Sequence, residues 1–144
     1  VEDIYEEDRV PFEMDRATVI SEGTDLAIIA CGEMVRPAMQ AAELLKERGI
    51  SAAVLDMYCL KPLDEKAVIT AAEGVKAVIT VEEHAPFGGL GAMVSQVLAK
   101  NCPRKMDILA LPDAPVITGT SKEVFDYYGL NAEGIAKKAM ELLT

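Results

Sequence analysis

One stretch, residues 76–91 (KAVITVEEHAPFGGLG), constrains the fold of this chain more than any other. Its first part, residues 77–81, is an unbroken, mostly β-branched run, which is typical of a strand covered on both faces in a parallel sheet. Two carboxylates and the only histidine of the sequence follow at once, and then three glycines. Behind the glycines, apolar residues recur at the spacing of one buried helix face: Leu90, Met93, Val94 and Val97. The stretch therefore predicts a strand, a glycine-rich turn and a helix.

The glycine-rich turn allows two interpretations. Backbone N–H groups at the start of a helix can bind an anion such as a phosphate. However, the pattern lacks the last glycine of the G-x-G-x-x-G dinucleotide fingerprint, because Val94 stands in its place, and there is no Walker lysine. Tight packing of the helix against its strand is therefore favoured over phosphate binding. The turn is kept as a candidate contact or anion site formed by Glu82, Glu83, His84, Gly88, Gly89 and Gly91.

Strand and helix patterns alternate along the rest of the chain. Short apolar runs predict four further strands, at residues 17–20, 26–30, 52–55 and 108–111. Suitable residues mark the ends of the helices between and after them: Pro37, Gly49, Asp64, Thr120 with Glu123, Gly129 and Asn131. The alternation predicts a three-layer αβα domain with a doubly wound, mostly parallel sheet that would bind ligands at the carboxyl ends of its strands. Residues 1–16 lack a sustained period and are interpreted as an interdomain linker.

Composition narrows the possible partners and compartments. The formal charge of −10 and the pI of about 4.5, with no cluster of Lys and Arg, argue against nucleic acid and against an anionic membrane surface as partners. Three cysteines without CxxC spacing suggest neither a disulfide framework nor a zinc site, and they fit a reducing cytoplasm. No signal-peptide pattern and no membrane-length apolar run occurs. These observations predict a cytoplasmic protein that is neither exported nor membrane-spanning.

Few residues at the predicted carboxyl ends can carry out chemistry. His84 beside Glu82 and Glu83 suggests a general base, but no nucleophile or second acid lies nearby in the sequence. A surface or interface histidine is therefore the favoured interpretation. Cys31 follows an apolar strand and is interpreted as a small core residue in preference to an activated thiolate. Because the carboxylates also lack metal-ligand spacing, the residues alone indicate an α/β module without a self-contained active site.

Three motifs give the chain a resemblance to a known family. They are KPLD at residues 61–64, EEHxxxGGLG at residues 82–91 and TGTSKEVFDYYGL at residues 118–130. With them, residues 17–144 resemble the C-terminal domain of the transketolase family, and in particular the separate C-terminal subunit of split transketolases. Deoxyxylulose-phosphate synthase and the β subunits of 2-oxoacid dehydrogenases carry similar domains and stay open as alternatives.

The resemblance implies a five-stranded sheet whose first strand, near residues 17–20, runs antiparallel to the others. In the complete transketolases of the pentose phosphate pathway, thiamine diphosphate and Mg lie between the diphosphate and pyrimidine domains of two subunits, where a two-carbon ketol unit passes between sugar phosphates. The C-terminal domain lies outside that site and helps the dimer to pack. The resemblance thus implies a domain that binds no cofactor or metal, supplies no catalytic residue, is inactive alone and partners the catalytic domains of its enzyme, in a homo-oligomer. A stand-alone anion- or nucleotide-binding module is the remaining alternative.

Overall fold

The central sheet has five strands and is covered by helices on both faces. The computed structural model describes residues 3–6 and 12–144. The strands are β1 (Thr18–Ser21), β2 (Leu26–Ala30), β3 (Ala52–Asp56), β4 (Ala77–Val81) and β5 (Lys105–Leu109). The helices are α1 (Val35–Glu47), α2 (Glu65–Glu73), α3 (Leu90–Asn101), α4 (Ser121–Tyr128) and α5 (Ala132–Leu143), with a 3-10 turn, Gly32–Met34, directly before α1. Within these described ranges, every helix is too short or too polar to cross a membrane.

The strand order in the sheet is β1-β3-β2-β4-β5. β1 pairs with β3 in the antiparallel sense, whereas the β2–β3, β2–β4 and β4–β5 pairs are parallel. The predicted three-layer architecture with one antiparallel edge strand is therefore confirmed. Because β3 and β4 lie on opposite sides of β2, the direction of winding reverses between β2 and β4. This switch point, at the carboxyl ends of the two strands, is where doubly wound sheets usually bind ligands.

The core consists of two apolar clusters, one on each face of the sheet. β2, β3 and β4 are buried along their whole length, and alternate side chains point to opposite faces. One cluster joins the sheet to α1 and α5, and the other joins it to α2 and α3. Of the predicted inner face of α3, Leu90, Val94 and Val97 are buried and Met93 is half-buried. The other helices bury Ala38, Ala41, Leu45, Val68, Ala72, Ile135, Ala139 and Leu142.

Three predicted caps at helix N-termini form as expected, and so does one predicted helix end. Asp64 accepts a hydrogen bond from the Ala67 N–H at 2.9 Å. Thr120 and Glu123 form a reciprocal capping box at the start of α4, and the Asn131 side chain accepts from the Gly134 N–H at the start of α5. Gly129 ends α4 in the left-handed conformation, with φ of 71°.

The last strand is the clearest error of the sequence-based prediction. The apolar run at residues 108–111 placed it too late, because β5 spans Lys105–Leu109 and pairs with β4 from Ala77 opposite Lys105. β5 lies at the edge of the sheet and is only partly buried, so it tolerates the charged residues Lys105 and Asp107. Because these residues interrupt the apolar pattern, the pattern did not reveal the first half of the strand. Leu111 lies beyond the strand, where its N–H bonds the carbonyl of His84 at 3.0 Å.

Candidate functional site

The carboxyl ends of β2 and β4 come together at the switch point. Backbone bonds continue the sheet beyond the strands here: the Cys31 N–H donates to the Val81 carbonyl at 3.4 Å, and the Glu82 N–H donates to the Leu109 carbonyl at 3.1 Å. Cys31 and Glu82 are thereby fixed beside each other, each at the start of the turn that leads into a helix. The candidate residues after β4 thus lie where the fold would place a ligand.

Glu82 fills the anion-binding position at the start of α3. Its side chain is only 1% exposed. The carboxylate accepts the N–H of Leu90 at 2.5 Å through Oε2 and the N–H of Gly91 at 3.2 Å through Oε1. These N–H groups have no acceptor within the helix, and the helix dipole makes its start favourable for a negative charge. The chain's own carboxylate therefore occupies the place that a phosphate would take.

The glycines of the turn allow this close approach. A Cβ atom on Gly89 would lie 2.5 Å from Glu82 Oε2, and a Cβ on Gly91 would lie 2.6 Å from the Ile108 side chain of β5. Gly88 adopts φ of 76°, a left-handed conformation that side chains disfavour. Packing of α3 against Glu82 and β5 thus accounts for the glycine pattern. An external anion would have to displace Glu82 to reach the same N–H groups, so anion binding at this turn is a hypothesis that the position of Glu82 disfavours.

Glu83 faces the other helix start at the switch point. A Cβ on Gly32 would lie 3.1 Å from Glu83 Oε1, which places this carboxylate beside the 3-10 turn before α1. Burial and the nearby charge of Glu33 raise the pKa of the Glu83 carboxyl above its usual value. The two adjacent carboxylates after β4 thus point to the starts of different helices. Glu82 is bonded to the start of α3, whereas Glu83 is exposed and lies beside Gly32 before α1.

His84 and Cys31 are not arranged as catalytic groups. The ring of His84 is exposed, and its Nδ1 lies 2.8 Å from the carbonyl oxygen of Ala85, while the Glu82 carboxylate is directed to α3. Cys31 is partly buried, and burial followed by the charges of Glu82 and Glu83 raises its pKa to about 11. A thiol with such a pKa stays protonated at neutral pH and is a poor nucleophile.

The N-terminal segment adds a contact that the sequence did not reveal. The hydroxyl of Tyr5 donates a hydrogen bond of 2.7 Å to Oδ2 of Asp56, the last residue of β3. Asp56 is buried, and burial raises the pKa of its carboxyl above the usual value. Burial and the hydrogen bond to Asp56 raise the pKa of Tyr5 well above its usual range. The two residues are 51 positions apart, so local sequence patterns carry no signal of the pair.

A separate cavity of about 280 Å³ lies between β1, β3 and α2. Its wall is mostly apolar and includes Val19, Leu55 and Ala67, with Arg16 and Lys66 at the rim. It lies away from the carboxylates of the switch point and was not predicted from the sequence.

The described residues do not fit a thiamine diphosphate or metal site. Throughout residues 3–6 and 12–144, His, Cys, Asp and Glu form no group of three that could hold a metal ion. At the switch point, the N–H groups that would suit a diphosphate are bonded by Glu82, and two further carboxyl groups, Glu83 and Asp56, stand nearby. A concentration of negative charge repels a polyanionic ligand.

Comparison with known proteins agrees with this architecture. The family model "Transketolase, C-terminal domain" matches residues 15–135. One subunit of the apulose-4-phosphate transketolase of Phocaeicola vulgatus is 48% identical over 143 residues, which cover 99% of this chain and 46% of that protein. The 1-deoxy-D-xylulose-5-phosphate synthase of Synechococcus sp. (strain JA-2-3B'a(2-13)) is 39% identical over 136 residues, covering 94% of this chain and 21% of that protein.

A solved structure described as "Split gene transketolase, inactive beta4 tetramer" superposes with a TM-score of 0.91 at 35% identity, covering 99% of this chain and 46% of that chain. This chain therefore spans less than half the length of each of these three relatives. The family match includes all five strands and the glycine-rich turn, and the antiparallel β1 agrees with the resemblance drawn from the sequence. The chain belongs to the transketolase C-terminal domain family.

Proposed function

We propose that this chain is the C-terminal domain of a thiamine-diphosphate-dependent transketolase and that it is inactive alone. The observation that carries the proposal is the filling of the switch point by Glu82, which bonds the N–H groups of Leu90 and Gly91. At the position where this fold usually binds a ligand, the helix-start N–H groups are thus hydrogen-bonded by the chain's own carboxylate. A domain built in this way is suited to contact other parts of an enzyme and does not present a prepared substrate site.

Under this proposal, the rest of the enzyme holds thiamine diphosphate and Mg. When bound, the cofactor supplies the carbanion chemistry for transferring a two-carbon ketol unit between sugar phosphates. The family relationship supports this transferase activity and a place in the pentose phosphate pathway. The thiols Cys31, Cys59 and Cys102 are all free, which supports a reducing, cytoplasmic location.

The proposed partners are the catalytic diphosphate and pyrimidine domains of the same enzyme. The proposed role of this domain is to help the subunits pack in a homo-oligomer, of which a dimer is the simplest form. The similar split-gene transketolase chain is described as an inactive β4 tetramer, which supports both self-association and inactivity of such a chain.

A second candidate function has specific support. The 39% identity with a 1-deoxy-D-xylulose-5-phosphate synthase is compatible with this domain serving that enzyme instead. The higher identity, 48%, with a transketolase subunit favours the first proposal.

A two-carbon transfer assay tests the proposed function. Xylulose 5-phosphate, ribose 5-phosphate, thiamine diphosphate and Mg are incubated with the chain alone, with its full-length polypeptide, and with that polypeptide plus the partner catalytic subunit. We expect activity only when all catalytic domains are present. Activity of the chain alone would refute its non-catalytic role. Formation of 1-deoxy-D-xylulose 5-phosphate by an assembled enzyme that lacks ketol transfer would favour the second candidate.

A further inference from the structure

We propose that the carboxyl edge of the sheet is the surface on which the preceding part of the same polypeptide docks. The surface consists of Phe12, Phe87, Val116 and Ile117, together with the loops that carry them. The docking rests on the fold and on the contacts of residues 3–6 and 12–17, whereas naming the partner as a catalytic transketolase domain rests on the proposed function.

The first argument is the place where the chain enters the domain. Tyr5 is bonded to Asp56 at the carboxyl end of β3, and Ile4 packs against the core cluster beneath α1 and α5. Phe12 packs edge to face against Tyr58, just beyond β3, with ring centroids 4.9 Å apart. These contacts hold the entering chain at the carboxyl edge of the sheet.

Hydrogen bonds fix the same segment a few residues later. The Tyr58 hydroxyl accepts the N–H of Glu13 at 3.1 Å and approaches the Glu13 carbonyl at 3.0 Å, so that it can donate in return. The N–H of Ala17 donates to Oδ2 of Asp64, the residue that also caps α2. The entering segment is therefore hydrogen-bonded to the domain at Glu13 and at Ala17. A domain that precedes this segment in the same polypeptide is kept at high local concentration near this edge.

The second argument is the exposed apolar surface at the same edge. The exposed fractions are 74% for Phe87, 60% for Phe12, 44% for Val116 and 36% for Ile117. Phe87 follows β4, Val116 and Ile117 follow β5, and Phe12 lies beside the end of β3. β3 and β5 are three strand spacings apart, about 14 Å at about 4.8 Å each, so the loops that carry these residues leave one edge of the sheet. Apolar and aromatic side chains grouped in this way are typical of an interface core.

The loops that carry these side chains are held in place. The Leu111 N–H bonds the His84 carbonyl at 3.0 Å, which ties the loop after β5 to the loop after β4. The Ile117 N–H bonds the hydroxyl of Tyr128 at 3.2 Å, which ties the same loop to the end of α4. An interface built on such loops loses little conformational entropy when the partner binds.

Charge and chain length indicate the kind of partner. The exposed acidic residues around the edge are Glu13, Asp15, Glu33, Glu83 and Asp113, which outnumber the Arg16 that pairs with the first two. A complementary face would present apolar side chains surrounded by Lys or Arg. More than half of each similar protein lies outside its match to this chain, and the matched family model is a C-terminal domain, so ample polypeptide precedes such a domain.

Amide hydrogen exchange tests the proposal, by comparing the chain alone with its full-length polypeptide. We expect exchange in residues 84–88 and 112–117 to slow by about tenfold or more in the full-length protein, because docking excludes water from these loops. The loops at the opposite edge, residues 23–25 and 49–51, serve as internal controls and are expected to change little. Unchanged exchange at the carboxyl edge, or slowing only at the opposite edge, would overturn the proposal.

A pair of variants at the two ends of β4 sharpens the test. Phe87→Ser removes an exposed ring beyond the carboxyl end, and Lys76→Ala removes an exposed side chain before the amino end. In the full-length protein, Phe87→Ser is expected to speed exchange in residues 112–117, whereas Lys76→Ala leaves it as in the wild type. Equal exchange in both variants would contradict docking through Phe87.

The outcomes separate this proposal from the proposed function. Slower exchange at the carboxyl edge that appears in the chain alone as its concentration rises would identify a second copy as the occupant and would overturn the proposal. Ketol transfer without protection of the edge would leave the proposed function standing and refute the docking surface. Protection of the edge in an assembled enzyme without ketol transfer would support the docking surface and refute the function.

Discussion

Replacing Glu82 with Gln perturbs the switch point with little change of shape. The carboxylate accepts one N–H through each oxygen, from Leu90 and from Gly91, and it is almost completely buried. An amide has a single oxygen, so one of these N–H groups would face an NH₂ group and lose its acceptor. The substitution also removes the negative charge at the start of α3.

The expected cost follows from these two losses. A hydrogen bond to a charged group contributes about 1.5–3 kcal/mol, and a charge at a partly buried helix end contributes up to about 2 kcal/mol. Relief of the desolvated charge offsets part of this sum. We therefore expect the Glu82→Gln variant to lose about 2–4 kcal/mol in free energy of unfolding. With a urea m value of about 2 kcal/mol per molar, the unfolding midpoint should fall by about 1–2 M.

Urea unfolding of the chain, followed by far-ultraviolet circular dichroism, measures this change. Glu83→Gln is the matched control, because the same substitution is made one residue away, at a carboxyl whose pKa is raised by burial and which is more exposed. The control should change the midpoint much less. A Glu82→Gln midpoint equal to that of the control would refute the argument that Glu82 holds the start of α3.

Three further results are expected. Gly91→Ala places a Cβ 2.6 Å from the Ile108 side chain, so the variant should lose about 1–3 kcal/mol in free energy of unfolding, measured by thermal unfolding. Adding Ile108→Ala should recover part of this loss. Full wild-type stability of the Gly91→Ala variant would contradict the close packing. Because burial raises the pKa of Asp56 in the folded state, its contribution to stability falls as pH rises from 3.8 through the folded value. The urea midpoint of the Asp56→Asn variant should lack this fall with pH. Identical pH profiles of the midpoint in the variant and the wild type would contradict the raised pKa of Asp56. Cys31, with a pKa of about 11, should react with iodoacetamide more slowly than glutathione at neutral pH, and faster labelling at this residue in a peptide digest would contradict its burial.

The elements that could be predicted from the sequence depend on local patterns. The apolar run of β4 and the helical spacing from Leu90 to Val97 each lie within a few residues, and both elements form as expected. The caps at Asp64 and Asn131 are equally local, because each side chain bonds an N–H three residues ahead. The architecture followed from the alternation of these elements.

The contacts that decide the candidate site depend on geometry in three dimensions. A glycine-rich turn before a helix is compatible with an external phosphate and with an internal carboxylate, and only the placement of Glu82 distinguishes them. The bond from Tyr5 to Asp56 joins distant parts of the chain. The early part of β5 was not predicted, because a strand at the edge of a sheet tolerates charged residues such as Lys105 and Asp107. At such an edge, the hydropathy of the sequence does not indicate which residues pair with the neighbouring strand.

The most direct test of the central claim is a nuclear magnetic resonance titration of the wild-type chain with inorganic phosphate and with ribose 5-phosphate. The amide signals of Leu90 and Gly91 report directly on the N–H groups that Glu82 occupies. If the chain's own carboxylate fills this site, both signals should stay in place at millimolar concentrations of either ligand. A saturable shift of these two signals would contradict the claim and would favour a stand-alone anion-binding module.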